Sequence, residues 1–227
     1  FYLTTKQIKE IFHVEEIRVY FGVILASSIF IAFNIRSLYP TLGECFRHAF
    51  FQVGSIITTT GYATTDFDLW PETSKTILVL LMFIGACAGS TGGGLKISRL
   101  LILCKSIPKQ LSLFIHPREI KVIKMDGKAI EHQVMRATNV YLAIYFFIIL
   151  GSTLLVSVDN FDFTTNFTAV VSALNNIGPG LAGVGPTRNF GAFSVFSKFV
   201  LMFDMLAGRL ELYPLLILFM PSLWRRK

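Results

Sequence analysis

Between His48 and Asp66 the chain carries no charge, and the two halves of that stretch pull apart: Ala49–Ile57 suits a short apolar helix, whereas Thr58-Thr59-Thr60-Gly61-Tyr62-Ala63-Thr64-Thr65 stops one. Threonine is stiff at χ1, and glycine admits backbone angles that other residues avoid. The runs on either side read as transmembrane. At that depth a short helix followed by non-helical chain is tolerated only where it is buried in protein or lines a water-filled pore. A ring of carbonyls from such segments can replace the hydration shell of an ion. The stretch is therefore expected to be one wall of an ion selectivity filter. Glu44–Thr65 is too short to cross and return as two helices, so it must dip in and leave on the side it entered.

Composition agrees with a membrane setting. Of 227 residues 53% are hydrophobic and only 15% charged, with mean hydropathy +0.60 and 22 Phe, whereas soluble domains carry about 25% charged residues. A formal charge of +7 would suit nucleic acid only if the basic residues lined one surface. They lie between apolar runs instead, as positive-inside loops do, so no nucleic-acid partner is expected. Cys45, Cys87 and Cys104 are odd in number and irregularly spaced, which supports neither a disulfide framework nor a zinc site. The chain starts at Phe1 without a signal-peptide pattern and is read as a piece of a longer one.

Taken in order, residues 1–18 read as a cytoplasmic interfacial lead-in. Residues 19–115 form a first unit: a span at 19–35, a pore helix and filter at 44–65, and a second span at 72–115 that is broken in its middle. The break is Gly85-Ala-Cys-Ala-Gly89-Ser-Thr-Gly92-Gly93-Gly94. Each glycine costs a helix interior about 0.8–1 kcal/mol relative to alanine, so an unbroken helix is not expected there. Close helix packing through small residues is the alternative to a mobile loop. The run is not a phosphate-binding loop, because Leu95 follows where Lys-Ser/Thr is required. Residues 116–136 are a basic cytoplasmic link. Residues 137–227 form a second unit, with a span at 137–158, a pore helix and filter at 162–181, and a span at 192–224.

With the N-terminus inside, fifteen Lys/Arg fall on the cytoplasmic side and five outside, while Arg209 lies within the last span. This asymmetry puts both dips on the external face. A charge at membrane depth costs about 2.5–3.5 kcal/mol on insertion scales, so Arg209 requires satisfaction, either by a salt bridge to Asp204 or Glu211 or by a role in the pathway.

The chain also repeats. A shift of 117 residues lays Phe50 on Phe167, Val53 on Val170, Ser55 on Ser172 and Gly61 on Gly178. A shift of 123 lays Ser74-Lys75 on Ser197-Lys198, Met82 on Met205 and Gly85 on Gly208. These would be parallel repeats about an axis along the membrane normal. The expected fold class is an all-α membrane protein: two tandem span–pore-loop–span repeats of potassium-channel-like type, half of a four-repeat pore.

Ile57-Thr-Thr-Thr-Gly-Tyr-Ala-Thr-Thr-Asp, Gly89-Ser-Thr-Gly-Gly-Gly-Leu-Lys, Asn175-Asn-Ile-Gly-Pro-Gly and Gly208-Arg-Leu-Glu resemble the bacterial Trk-type potassium uptake proteins of the TrkH/TrkG family, in order and over nearly the whole chain. The resemblance implies that this is the third and fourth of four repeats. It implies a potassium filter at Thr59, Thr60, Gly61, Tyr62, Asn176, Ile177, Gly178 and Pro179. It implies a gate formed by a loop at Gly85, Gly89, Gly92, Gly93 and Gly94 together with Arg209, which projects into the pathway as an electrostatic barrier. It further implies potassium as transported substrate with no cofactor, symport across the bacterial cytoplasmic (inner) membrane, and three partners: the missing N-terminal repeats, a cytosolic nucleotide-binding TrkA-type ring, and a second copy in a homodimer.

Two rivals stand beside this reading. One is a non-conducting membrane subunit that binds a regulatory or pore partner. The other is a membrane enzyme, disfavoured because the irregular segments at membrane depth are rich in Gly, Thr and Asn and poor in titratable groups. The external acids Asp66, Asp68, Glu72, Asp159 and Asp162 suit either cation attraction or solvated loops. Glu44, Cys45 and His48 imitate a metal site but read as the start of a pore helix.

Overall fold

The computed structural model describes residues 14–90, 92–116 and 122–210, together with Pro214 and Ile217. The lead-in before Val14, Arg118 and Lys121 of the basic link, Glu211 and the terminal basic cluster lie outside the described residues.

Among the described residues seven helices carry the fold: α1 (Glu15–Asn34), α2 (Leu42–Ile57), α3 (Glu72–Phe83), α4 (Ile97–Ile115), α5 (His132–Val156), α6 (Phe163–Leu174) and α7 (Val195–Arg209). α2, α6 and α7 start on side-chain caps, because the first N–H groups of a helix lack internal partners. Thr41 accepts from Glu44 N at 3.3 Å, Asp162 from Thr165 N at 3.0 Å and Ser194 from Ser197 N at 3.2 Å. α1 has no cap of its own. Its first amide, Glu15 N, donates 2.7 Å to Asp126 Oδ1, far along the chain.

Within the described residues two helices, Glu15–Asn34 and His132–Asp159 (α5 with the 3₁₀ turn that follows it), are long and apolar enough to cross a membrane. Their outward faces present Phe21, Leu25, Phe30, Phe33, Phe147, Leu150 and Leu154, an extent of exposed apolar surface that water-soluble monomers avoid. One buried core joins six of the seven helices, α4 excepted, running from Ile31 and Ile35 through Val53, Ile57 and Met82 to Tyr145, Val170, Leu174 and Leu201. α2 packs between α1 and α3, α6 packs between α5 and α7, and the two halves meet where α3 touches α6 and α4 touches α5.

Several boundaries differ from the sequence expectation. α1 begins at Glu15, inside the expected lead-in, because Asp126 caps it from a distance. α5 begins at His132, before the uncharged run, since helix and hydrocarbon need not start together. The broken span is helical over Glu72–Phe83 and resumes at Ile97 rather than Leu95. The last span is helical over Val195–Arg209, and its expected continuation lies largely outside the described residues. The link is not featureless: Lys124–Met125 (β1) and Lys128–Ala129 (β2) pair in a small hairpin around Asp126-Gly127. Both turn residues have positive φ, 50° and 77°, as a two-residue hairpin turn requires. The fold is thus helical with one minimal hairpin.

Candidate ion pathway

α2 and α6 each end in a segment that turns sharply back. Thr59 and Asn176, 117 positions apart, both adopt left-handed backbone, with φ of 55° and 54°; Gly61 and Gly178 follow at 77° and 112°. The hydrogen bonds match in register: Thr60 N donates to Ser55 O at 2.9 Å, and Ile177 N to Ser172 O at 3.0 Å. Both serines then brace the strand, but differently. Ser55 Oγ donates to Tyr62 O at 2.6 Å, whereas Ser172 Oγ accepts from Gly178 N at 3.0 Å.

The two segments touch. A Cβ on Gly61 would lie 1.8 Å from the Ile177 carbonyl oxygen and 3.2 Å from Pro179 Cδ, so position 61 admits nothing larger than glycine without backbone movement. Gly178 faces open space and needs glycine for its φ alone. Tyr62 is 74% exposed. The second segment is the better anchored. Buried Asn175 accepts from the Tyr145 hydroxyl at 2.8 Å and donates to Val171 O at 2.8 Å, while Asn176 Nδ2 reaches Met205 O at 3.1 Å.

The glycine-rich stretch is a loop from Ile84 to Lys96 closed at its base. Ile84 and Leu95 form an isolated parallel bridge, with Leu95 N on Phe83 O at 3.0 Å and Gly85 N on Leu95 O at 2.7 Å. The loop lies under both α2 and α6 termini. A Cβ on Gly92 would meet Thr59 Oγ1 at 3.0 Å, and one on Gly93 would meet the Asn175 carbonyl oxygen at 2.3 Å. Gly94 packs on Gly85 and Asn175 Oδ1, whereas Gly89 has nothing within 4 Å. Close packing and a break in the helix, set against each other from sequence, therefore occur in one loop.

Arg209 lines a cavity of about 190 Å³ with Ser90, Gly92, Gly94, Lys96, Arg99 and Gly208. The expected arginine and the glycine loop are thus brought to one place. The carboxylate weighed as its partner, Asp204, accepts from Ser152 Oγ at 2.8 Å, and its second oxygen has no hydrogen-bond partner among the described residues. Glu211 lies outside the described residues.

At the outer end the acids hold loops together. Asp66 accepts from Asp68 N and from Thr187 Oγ1 at 3.0 Å. Asp68 accepts from Ala182 N at 3.0 Å, so the loop after the first segment is tied to the loop after the second. Asp159 accepts from Ser194 N, and Glu72 pairs with Lys75 at 2.6 Å. Hydrogen bonds from Ser194 and Thr165 hold the Asp159 and Asp162 carboxyls below the usual carboxylate range. His48 stacks on Tyr39 and bonds to Thr64 at 3.2 Å, and Cys45 is buried beside the Ile35 carbonyl.

Sequence reasoning missed two residues. Lys96, one of the fifteen Lys/Arg that the charge asymmetry assigns to the cytoplasmic side, is buried, and its ammonium donates to the carbonyls of Ser90 and Gly92. Glu16 was read as part of a polar lead-in; it is buried under the loop, where one oxygen accepts from Ala88 N at 2.6 Å and Ser98 N at 3.2 Å. The signal available for Glu16 was an acid directly ahead of a membrane run, which alone says nothing of its partners.

A family model described as the cation transport protein TrkH matches residues 30–226. The chain is 37% identical over 207 residues to the Trk system potassium uptake protein TrkH of Vibrio parahaemolyticus, covering 91% of this chain and 42% of that protein. It is 32% identical over 225 residues to TrkG of Escherichia coli, covering 98% and 46%. The crystal structure of the potassium transporter TrkH from Vibrio parahaemolyticus superposes with a TM-score of 0.82 at 36% identity, over 92% of this chain and 45% of that one. The chain spans about half the length of these relatives.

Proposed function

This chain belongs to the TrkH family of cation transport proteins, and on that premise we propose that it forms half of a potassium uptake pore in a bacterial inner membrane. The two halves of the fold are span–pore-loop–span repeats, the third and fourth of four. Thr59–Tyr62 and Asn176–Pro179 are two of four filter walls, and their backbone carbonyls coordinate the passing ion in place of water. Below them the glycine loop is the gate, and Arg209 is the charge that discourages cations while the loop is in place. The remaining walls come from the first two repeats. A cytosolic nucleotide-binding ring acts on the cytoplasmic face, and the whole protein works as a dimer.

The observation that carries this reading is the matched register of the two turns. Left-handed residues at 59 and 176 and glycines at 61 and 178 recur 117 positions apart, and Gly61 presses on the Ile177 carbonyl. Two loops that merely pack need not carry positive φ at the same two positions of each segment, 117 residues apart, where the segments touch. The test is Gly61→Ser in the full-length protein, assayed by potassium and sodium tracer uptake in cells that need this protein to grow at low potassium. The expected result is a fall in the potassium-to-sodium flux ratio of about ten-fold or more, as the added side chain displaces carbonyls on two of the four walls. An unchanged ratio with normal expression contradicts the filter assignment. Absence of any protein-dependent uptake with the unmodified full-length protein favours a non-conducting subunit.

A further inference from the structure

From the position of Glu16 between α1, the glycine loop and α4, we infer that this carboxylate latches the loop, joining its two limbs to the first turn of α1. The inference rests on the gate reading above and adds a positioning residue to it.

Ala88 lies before Gly89–Gly94 and Ser98 after it, so one Glu16 oxygen holds both limbs. The loop is otherwise closed by the Ile84–Leu95 bridge and by Lys96 on the carbonyls of Ser90 and Gly92. Ser98 N belongs to the first turn of α4, whose N-cap residue Lys96 makes no side-chain cap bond. Glu16 supplies that missing acceptor from another helix, and a negative charge there also suits the helix dipole. Bonds from backbone N–H to a buried carboxylate are strengthened by its charge. Glu16 is itself held firmly. The preceding amide is bound to Asp126 at the hairpin turn, and Glu15 pairs with Lys105, which also donates to Lys124 O at 2.8 Å. A displacement of the hairpin or of α4 is therefore passed to the first turn of α1 and, through Glu16, to the loop.

Cys87, half-buried and free, sits next to Ala88 and is a native reporter. The experiment uses the full-length protein in lipid vesicles with Cys87 as the sole cysteine, and measures how fast a membrane-impermeant methanethiosulfonate modifies it. Glu16→Ala is expected to speed modification about ten-fold or more, and Glu16→Gln, which keeps an acceptor but loses the charge, by less. Ser98→Pro removes one of the two donors at a helix position that tolerates proline, and is expected to give an intermediate rise. An unchanged rate in a monodisperse Glu16→Ala protein overturns the latch. If that variant fails to accumulate, an unchanged rate in Ser98→Pro overturns it. Because the thiolate is the reacting species and the Glu16 charge acts on Cys87, Glu16→Gln measures the effect of charge alone. The excess rate in Glu16→Ala, and the rise in Ser98→Pro, which leaves the charge in place, report loop position whether or not potassium passes. Failure of the filter assignment, seen with Gly61→Ser, is thereby separable from failure of the latch.

Discussion

At the scale of single residues, glycine serves opposite ends in this chain, and its neighbours tell which. A Cβ on Gly208 would lie 1.6 Å from the Leu174 carbonyl oxygen, whereas Gly151 in α5 has nothing within 4 Å. Gly208→Ala should destabilise the purified protein by about 2–3 kcal/mol, because backbone rather than a yielding side chain must move. Gly151→Ala should leave the thermal midpoint equal or higher, through helix propensity worth about 1 kcal/mol. Equal midpoints for both variants would contradict the close approach of α7 to α6. The internal shift of 117 residues picks out Ser55 with Ser172 and Gly61 with Gly178, all of which share positions in the turns. Asparagine is enriched several-fold in left-handed backbone, so Asn176 carried a weak mark in its residue type, whereas the β-branched Thr59 is held there by its surroundings and carried none. Glu16 was illegible for a related reason: its partners are 72 and 82 positions away, and they are backbone amides, which every sequence contains.

At the scale of elements, the two longest apolar helices follow from uncharged runs, and the short α2 and α6 follow from the Thr and Asn-Gly stops behind them. What composition could not fix is where helices begin, because caps decide that and some caps are tertiary. α6 is the clearest local case. Asp162→Ala should cost about 1 kcal/mol by removing the cap on Thr165 N. Because the folded carboxyl titrates below its ordinary value, this contribution is fully present above the unfolded pKa of about 3.9 and is lost as pH falls through the folded value. Midpoints of Asp162→Ala and the unmodified protein should thus differ near neutral pH and converge as pH falls through the lowered folded value. A gap that persists at the lowest pH would point to packing rather than the charged cap.

At the scale of the whole molecule, cations gather at one place. Lys96, Arg99 and Arg209 surround one small cavity under the turns, while Asp66 and Asp68 lie in the loops beyond the turns. The sequence counted Lys96 and Arg99 among cytoplasmic positives; the first is buried against loop carbonyls, and the second lies 3.9 Å over the Tyr141 ring. Hydropathy counts charges along the chain and is blind to a cation folded back beneath a loop. Arg209→Gln in the full-length protein should raise basal potassium flux several-fold, as a like-charge barrier falls. Flux that drops in step with protein amount would make the arginine a structural tie instead. The outer clasp, in which Asp66 and Asp68 bind Thr187 and Ala182 across the two halves, ties together the loops that follow the two turns. The same two turns are touched from the other side by the glycine loop, at Thr59 and at the Asn175 carbonyl. On the proposed filter reading, a loop that moves to admit ions therefore also disturbs the walls that choose between them, so the number of ions admitted per second and the reversal potential shift together.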